Sequence, residues 1–156
     1  MARVALLTAL AMIFSYVEAI IPIPLGVPGI KLGLANLVVV MALAILHPAE
    51  AFLVSMIRIL LMGLLFGNGA SLIYSLAGGL LSFGVMLLLK KTKAFSVYGI
   101  SIAGAVAHNC GQIAAATLIL GSRRIVYYLP VLLIAALLTG FLIAFLAATI
   151  LRMLLH

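Results

Sequence analysis

The chain consists of six long apolar runs that are separated by short groups of proline, glycine and basic residues. The runs are continuous, whereas a membrane β-strand alternates apolar and polar positions over about ten residues. Each run therefore predicts a helix, and most approach the roughly 20 residues that a helix needs to cross a bilayer. The second and third runs are short, so either the bilayer is thin there or these helices lie partly inside the bundle. The predicted helices cover residues 3–20, 32–46, 49–66, 70–89, 97–120 and 126–155.

Composition favours a single all-α transmembrane domain over residues 1–156. Hydrophobic residues make up 68% of the chain, against about 45–50% in a soluble domain, so the lipid bilayer is the expected partner. Most of the nine basic residues are scattered at helix ends instead of forming a patch, which argues against nucleic-acid binding. One cysteine and three widely separated histidines have no metal-ligand spacing, and we expect no metal or other cofactor.

The basic residues also predict an orientation, because lysine and arginine are enriched in cytoplasmic loops. If the N-terminus is cytoplasmic, five bases lie on the cytoplasmic side and three on the outer side. This difference favours two cytoplasmic termini, with the proline-rich segment 21–32 outside. The cytoplasmic group is Arg3, Lys90, Lys91, Lys93 and Arg152, and the outer group is Lys31, Arg123 and Arg124.

Arg58 lies near the centre of the third run, where a charged side chain costs about 2.5 kcal/mol or more. It must therefore face the bundle interior or an aqueous cavity, and it needs an anionic partner. Glu18 is within reach if the first and third helices are adjacent, whereas Glu50 begins the same helix and lies too far along it. Two interpretations stay open: an Arg58–Glu18 ion pair, or binding of an anionic group of a substrate, for which a guanidinium is well suited.

The fifth run carries three polar side chains within residues 104–112. His108 and Gln112 are four residues apart and share one helix face, and Asn109 lies about 100° around the helix from His108. Asn36, early in the second run, adds another amide. Any one of these groups can simply hydrogen-bond a neighbouring helix. Several of them in so few helices predict a shared polar pocket that also contains Arg58.

Small residues at helical spacing predict close packing, because they let two helix backbones approach in lipid. Gly78 and Ser82 have this spacing in the fourth run. Ala5 and Ala9 form a similar pair in the first run, near its predicted cytoplasmic end, and we expect this pair to be a docking face for another membrane subunit. The small residues of the fifth run recur at every fourth position, at Gly99, Ala103, Ala107 and Gly111.

Enzyme chemistry is not expected of this chain. It has no aspartate, and both glutamates lie at helix ends, so it has no carboxylate pair for acid–base catalysis or magnesium binding. It also has no phosphate-binding loop, so any energy from ATP must come through another protein.

Several segments resemble a bacterial membrane family known as Gx transporters or as heptaprenyl diphosphate synthase component I. The most specific are Gly-Ile-Lys-Leu-Gly-Leu-Ala-Asn at 29–36 and Gly-Ala-Val-Ala-His-Asn-Cys-Gly-Gln at 104–112. Residues 74–79, Ser82 and Arg58 extend the resemblance over essentially the whole chain. This family is similar to the substrate-binding S components of energy-coupling factor (ECF) importers.

The resemblance implies a bundle of six transmembrane helices in the plasma membrane of a bacterium. Such a bundle would bind a small vitamin-like or precursor molecule in an outward pocket, although the fold does not name the ligand. Ala5 and Ala9 would dock on an ECF transmembrane coupling subunit that two ATPases drive. The residues that would bind the ligand by position are Asn36, Arg58, His108, Asn109 and Gln112, with Lys31 in a lid formed by the segment after the first helix.

The family name also suggests an alternative function. In this interpretation the chain is an accessory membrane subunit of heptaprenyl diphosphate or quinone biosynthesis, with a prenyl chain in the pocket and its diphosphate on Arg58. Prenyl diphosphate synthases bind magnesium through aspartate-rich motifs, so a chain without aspartate is not their catalytic subunit by that mechanism. A purely structural bundle is a third possibility, and it predicts that the polar residues tolerate apolar replacement. The sequence favours the importer subunit.

Overall fold

The computed structural model describes residues 2–20 and 33–155 and confirms the predicted all-α membrane fold. Of the six α-helices in the described residues, five are long and apolar enough to cross a bilayer, and one is shorter. A 3-10 helix, Arg123–Tyr128, replaces the predicted start of the sixth helix. The α-helices are α1 (Ala2–Ile20), α2 (Leu34–Ile45), α3 (Pro48–Phe66), α4 (Gly69–Thr92), α5 (Val97–Leu120) and α6 (Leu129–Leu155).

The second predicted helix is shorter than expected and lies inside the bundle. With 12 residues, α2 is about 18 Å long, which is less than the roughly 30 Å hydrocarbon core of a bilayer. It packs against α1, α3 and α6, and its side chains from Leu37 to Leu43 are buried. An apolar surface all round a helix is typical of such a central position. Of the two explanations for this short run, burial within the bundle is therefore the one that applies.

Charged side chains from two neighbouring helices compensate the ends of α2. At its N-terminal end, Glu18 of α1 accepts a hydrogen bond of 2.6 Å from the backbone N–H of Gly33. At its C-terminal end, Lys90 of α4 donates to the carbonyl oxygen of Leu43. An anion at the N-terminus and a cation at the C-terminus both interact favourably with the helix dipole. These contacts also satisfy backbone groups that the end of a buried helix would otherwise leave unpaired.

Glycines bring α4 and α5 into close contact. A Cβ atom added to Gly111 would lie 2.7 Å from the carbonyl oxygen of Ala77, and one added to Gly104 would lie 2.6 Å from the sulfur of Met86. The predicted small-residue face was therefore only partly right. Its members Ala107 and Gly111 are buried, whereas Gly99 and Ala103 are half-buried, and the buried positions of α5 are Ser101, Gly104, Ala107, Gly111 and Ala115.

The small residues of α1 have a different environment. Ala5 and Ala9 are exposed, as are Leu6 and Ile13 on the same helix. The buried face of α1 consists instead of Val4, Leu7, Thr8 and Ala11. The Ala5–Ala9 pair is therefore accessible to lipid or to another subunit, and its role in docking stays a prediction.

Candidate functional site

A cavity of about 310 Å³ opens at one end of the bundle. It extends from the end of the bundle where α1 and α3 end and α2 and α4 begin to the middle of α5. All six helices contribute to its lining, so the site depends on the packing of the whole bundle. Ile59, Met62 and Phe66 form part of its apolar wall. Its polar lining residues are Ser15, Asn36, Arg58, Ser71, Ser75, His108, Asn109, Gln112 and Thr139.

The structure brings five of the six predicted ligand-binding residues to this one cavity. They come from α2, α3 and α5 and are far apart in the sequence. Lys31 lies outside the described residues. That these side chains bind a ligand remains a prediction, since their convergence is a matter of geometry alone. The five are Asn36, Arg58, His108, Asn109 and Gln112.

The hydroxyls of Ser15, Ser71 and Thr139 also line the cavity, and no sequence pattern predicts them as site residues. Serine and threonine in a helix commonly donate to a carbonyl of the preceding turn, so their presence in an apolar helix carries little information about a site. The hydroxyls of Ser15 and Thr139 do donate in this way, to the carbonyl oxygens of Ala11 and Ala135. Only the packing of the bundle shows that they also face the cavity.

Arg58 is the one cationic side chain among the described residues that line the cavity. Its Nη1 donates a long hydrogen bond of 3.4 Å to the hydroxyl oxygen of Ser15 on α1. Its Nε is fully buried and has no hydrogen-bond partner among the residues that the structure describes. A buried donor on a charged group is costly when it is left unpaired. The Arg58 side chain is therefore held at the cavity with donor capacity that the described residues do not use.

Neither glutamate forms an ion pair with Arg58 in the part of the chain that the structure describes. Glu18 interacts with the guanidinium electrostatically, but its carboxylate accepts the hydrogen bond from Gly33 instead. Glu50 caps the start of α3, where its carboxylate accepts from the backbone N–H of His47 at 3.2 Å. Both acids of the chain thus serve helix N-termini, where negative charge is favourable. The cavity is left with a positive charge and no carboxylate in its described lining.

Close packing with α4 fixes the polar edge of α5. A Cβ atom on Gly78 would lie 2.8 Å from Cγ of Gln112 and 3.1 Å from Cε1 of His108. Glycine at this position therefore lets the two side chains lie directly against the backbone of α4. Asn109 is tied to α6, since its amide nitrogen donates to the carbonyl oxygen of Leu132 at 2.8 Å. The amide oxygen of Asn109 takes no part in that bond.

The chemistry of the lining suits an anion. The guanidinium of Arg58, the carboxamides of Asn36 and Gln112 and the hydroxyl of Ser75 supply hydrogen-bond donors. A guanidinium can also bind carboxylate or phosphate oxygens in pairs. Among the described residues, no group of three or more histidine, cysteine, aspartate or glutamate side chains is placed to hold a metal ion. Cys110 is a free thiol on α5 and does not line the cavity.

Comparison with known proteins gives a family. A sequence model of the family described as heptaprenyl diphosphate synthase component I matches residues 7–150. No curated protein and no solved structure matches the chain. The matched region contains α2 to α5 completely, most of α1 and α6, and every described residue that lines the cavity. This membrane chain therefore belongs to the heptaprenyl diphosphate synthase component I family.

Proposed function

We propose that this chain is a non-catalytic membrane subunit of prenyl diphosphate biosynthesis, whose cavity binds the diphosphate group of a prenyl substrate or product. The observation that carries this proposal is the buried Nε of Arg58, which has no hydrogen-bond partner among the described residues and lies in a cavity whose described lining has no carboxylate. The family supports it, because a component I implies a separate component II with which it acts. The catalytic aspartates would belong to that partner, since this chain has none.

A diphosphate provides the negative charge and the hydrogen-bond acceptors that would pair with Arg58. Its oxygens accept hydrogen bonds and carry the negative charge that would balance Arg58. Asn36, His108 and Gln112 line the same space and offer further polar contacts around the group. Binding therefore gives the Arg58 guanidinium a hydrogen-bonded anionic partner, which favours an anionic ligand over a neutral one of the same size.

The proposal predicts an effect on the partner enzyme that depends on Arg58. Prenyl transfer by the purified catalytic subunit is measured with nanodiscs that contain this chain and with empty nanodiscs, and binding of inorganic pyrophosphate is measured on the same samples. We expect wild type to bind pyrophosphate and to increase product formation or release. Arg58→Gln is expected to weaken binding by about 10- to 100-fold, because it removes charge-assisted hydrogen bonds, and to abolish the increase.

Arg124→Gln is the matched control, since Arg124 is exposed and does not line the cavity. It should behave like wild type in both measurements. Equal pyrophosphate binding by wild type and Arg58→Gln would contradict the anion site. Catalysis that is the same with and without this chain would contradict the accessory function.

A second candidate function is the substrate-binding subunit of an ECF-type importer in the plasma membrane. The observation that favours it is the exposure of Ala5 and Ala9 at the end of α1 remote from the cavity. A coupling subunit with its ATPases would dock there. This function requires the cavity to face outward and both termini to be cytoplasmic, as the distribution of basic residues predicts. The orientation prediction has less support than the charge count suggests, because Lys90, one of the five bases assigned to the cytoplasmic side, donates to the C-terminal end of α2.

Membrane orientation separates the two functions. A diphosphate made by a soluble partner reaches the cavity only if the cavity end faces the cytoplasm, since a multiply charged group does not cross the bilayer. The Cys110→Ser variant has no cysteine and serves as the background. One variant adds Ser122→Cys at the cavity end of the bundle, and another adds Ala94→Cys at the opposite end. Intact cells with either variant are treated with an impermeant thiol reagent. The accessory function predicts labelling of Ala94→Cys, and the importer function predicts labelling of Ser122→Cys.

A further inference from the structure

The lining of the cavity, as far as residues 2–20 and 33–155 form it, is exposed on one side only. Of the described lining residues, Ala19, Phe66 and Gly67 are exposed, whereas all the others are buried or half-buried. Ala19 lies in the last turn of α1, and Phe66 and Gly67 lie at the end of α3. The exposed part of the described lining, which we call the mouth, therefore lies at the ends of α1 and α3.

The surface outside this mouth is apolar. On α1, Ile20 is 57% exposed, and on α3, Leu65 is 62% exposed. The rings of Tyr16 on α1 and Phe66 on α3 pack at a centroid distance of 5.0 Å and bridge the two helices next to the mouth. Since both helices are apolar enough to cross a membrane, this surface faces hydrocarbon or its boundary with the head groups.

The cavity itself is too small for a long ligand. Its volume of about 310 Å³ is at the lower limit of the roughly 300–1,000 Å³ that is typical of small-molecule pockets. A diphosphate beside Arg58 occupies a substantial part of it. A prenyl chain of several isoprene units therefore extends outside the cavity, and the sole exposed side of the described lining leads to the apolar surface between α1 and α3.

From this geometry we infer that the ligand is a membrane-resident prenyl diphosphate whose head group lies in the cavity and whose tail leaves between α1 and α3 into the lipid. This inference rests on the proposed function, because it takes the anion at Arg58 to be a diphosphate. It adds that the site recognises the head group and the first carbons, while the lipid holds the remainder of the tail. The cavity then does not discriminate between tails of different length.

A bulky side chain at the mouth tests the path of the tail. Equilibrium binding of farnesyl diphosphate, geranylgeranyl diphosphate and inorganic pyrophosphate is measured for wild type and Ala19→Trp in nanodiscs. We expect Ala19→Trp to weaken the binding of both prenyl diphosphates by about tenfold or more, since the indole occupies the path of the tail. Pyrophosphate fits wholly inside the cavity, so its affinity should stay within about threefold of the wild-type value.

Ala114→Trp is the matched control, because Ala114 is an exposed alanine of α5 at the same end of the bundle and does not line the cavity. It should leave all three affinities unchanged. Ala19→Leu is a milder variant for which we expect an intermediate loss, and it keeps the test decisive if the tryptophan variant does not fold.

Two results would overturn the inference. One is prenyl diphosphate binding by Ala19→Trp that equals that of Ala114→Trp. The other is an equal loss of pyrophosphate binding, which would place the effect of the tryptophan on the head-group site. Failure of the proposed function has a different signature, namely pyrophosphate binding that does not depend on Arg58. A tail path can thus be wrong while the anion site is right.

Discussion

Replacing Arg58 by methionine is expected to stabilise the ligand-free protein and to abolish anion binding. The guanidinium has a buried Nε without a partner and no carboxylate at ion-pair distance among the described residues. Methionine keeps a long flexible side chain and removes a charge whose burial in a bilayer costs about 2.5–3.5 kcal/mol on insertion scales. The lost hydrogen bond to Ser15 is long, at 3.4 Å, and offsets little of this. We expect a gain of about 1–3 kcal/mol.

The measurement is thermal unfolding of the purified protein in detergent, with and without pyrophosphate. Pyrophosphate should raise the melting temperature of wild type, because a ligand that binds only the folded state stabilises it. It should have no effect on Arg58→Met. Arg124→Met is the control, because it removes an exposed arginine and should change neither the stability nor the response to pyrophosphate. A ligand-free Arg58→Met that is less stable than wild type would show that the arginine has a structural role.

Substituting alanine for Gly111 is expected to destabilise the bundle by about 2 kcal/mol or more. The added Cβ atom would lie 2.7 Å from the carbonyl oxygen of Ala77 and 2.9 Å from Cα of Gly78. Both atoms belong to the backbone of α4, so no side-chain rotation can relieve the contact and the helices must separate. Gly78 also packs against His108 and Gln112. The same substitution should therefore displace the polar edge of the cavity and weaken ligand binding.

Gly84→Ala is the control for this experiment, because a Cβ atom on Gly84 has no neighbour within 4 Å. Alanine has a higher helix propensity than glycine, so this variant should be as stable as wild type or more stable, by up to about 1 kcal/mol. Both variants are compared by thermal unfolding and by pyrophosphate affinity. Similar stability of Gly111→Ala and Gly84→Ala would show that α4 and α5 are less closely packed at this crossing.

Much of this fold is predictable because lipid constrains a sequence strongly. A chain that crosses a bilayer must pair its backbone groups within helices, and the predicted fifth helix has the observed bounds, Val97–Leu120. The convergence of Arg58, His108 and Gln112 follows from the same constraint. Polar groups in an apolar helix turn away from lipid, and in a small bundle they meet in the interior.

The features that escaped prediction depend on contacts between distant residues. The buried position of α2 depends on Glu18 and Lys90, which belong to two other helices. From the sequence, Glu18 was a possible partner of Arg58 and Lys90 an orientation anchor, because residue type alone does not specify a partner. The predicted packing face of α5 differs from the observed one near its middle, where Gly104 is buried instead of Ala103. A period of four drifts around a helix of 3.6 residues per turn, so such an error grows along the helix.

The hydrogen bond between Glu18 and Gly33 has a consequence for the variability of this protein. It joins the chain immediately before and after residues 19–32, so the two ends of this connection are held together independently of what lies between them. The entropy of closing a loop rises only slowly with its length. Insertions, deletions and exchanged sequences in this connection should therefore leave α1 and α2 in place. Sequence changes in this connection are thereby decoupled from the helices that hold the positively charged interior of the cavity.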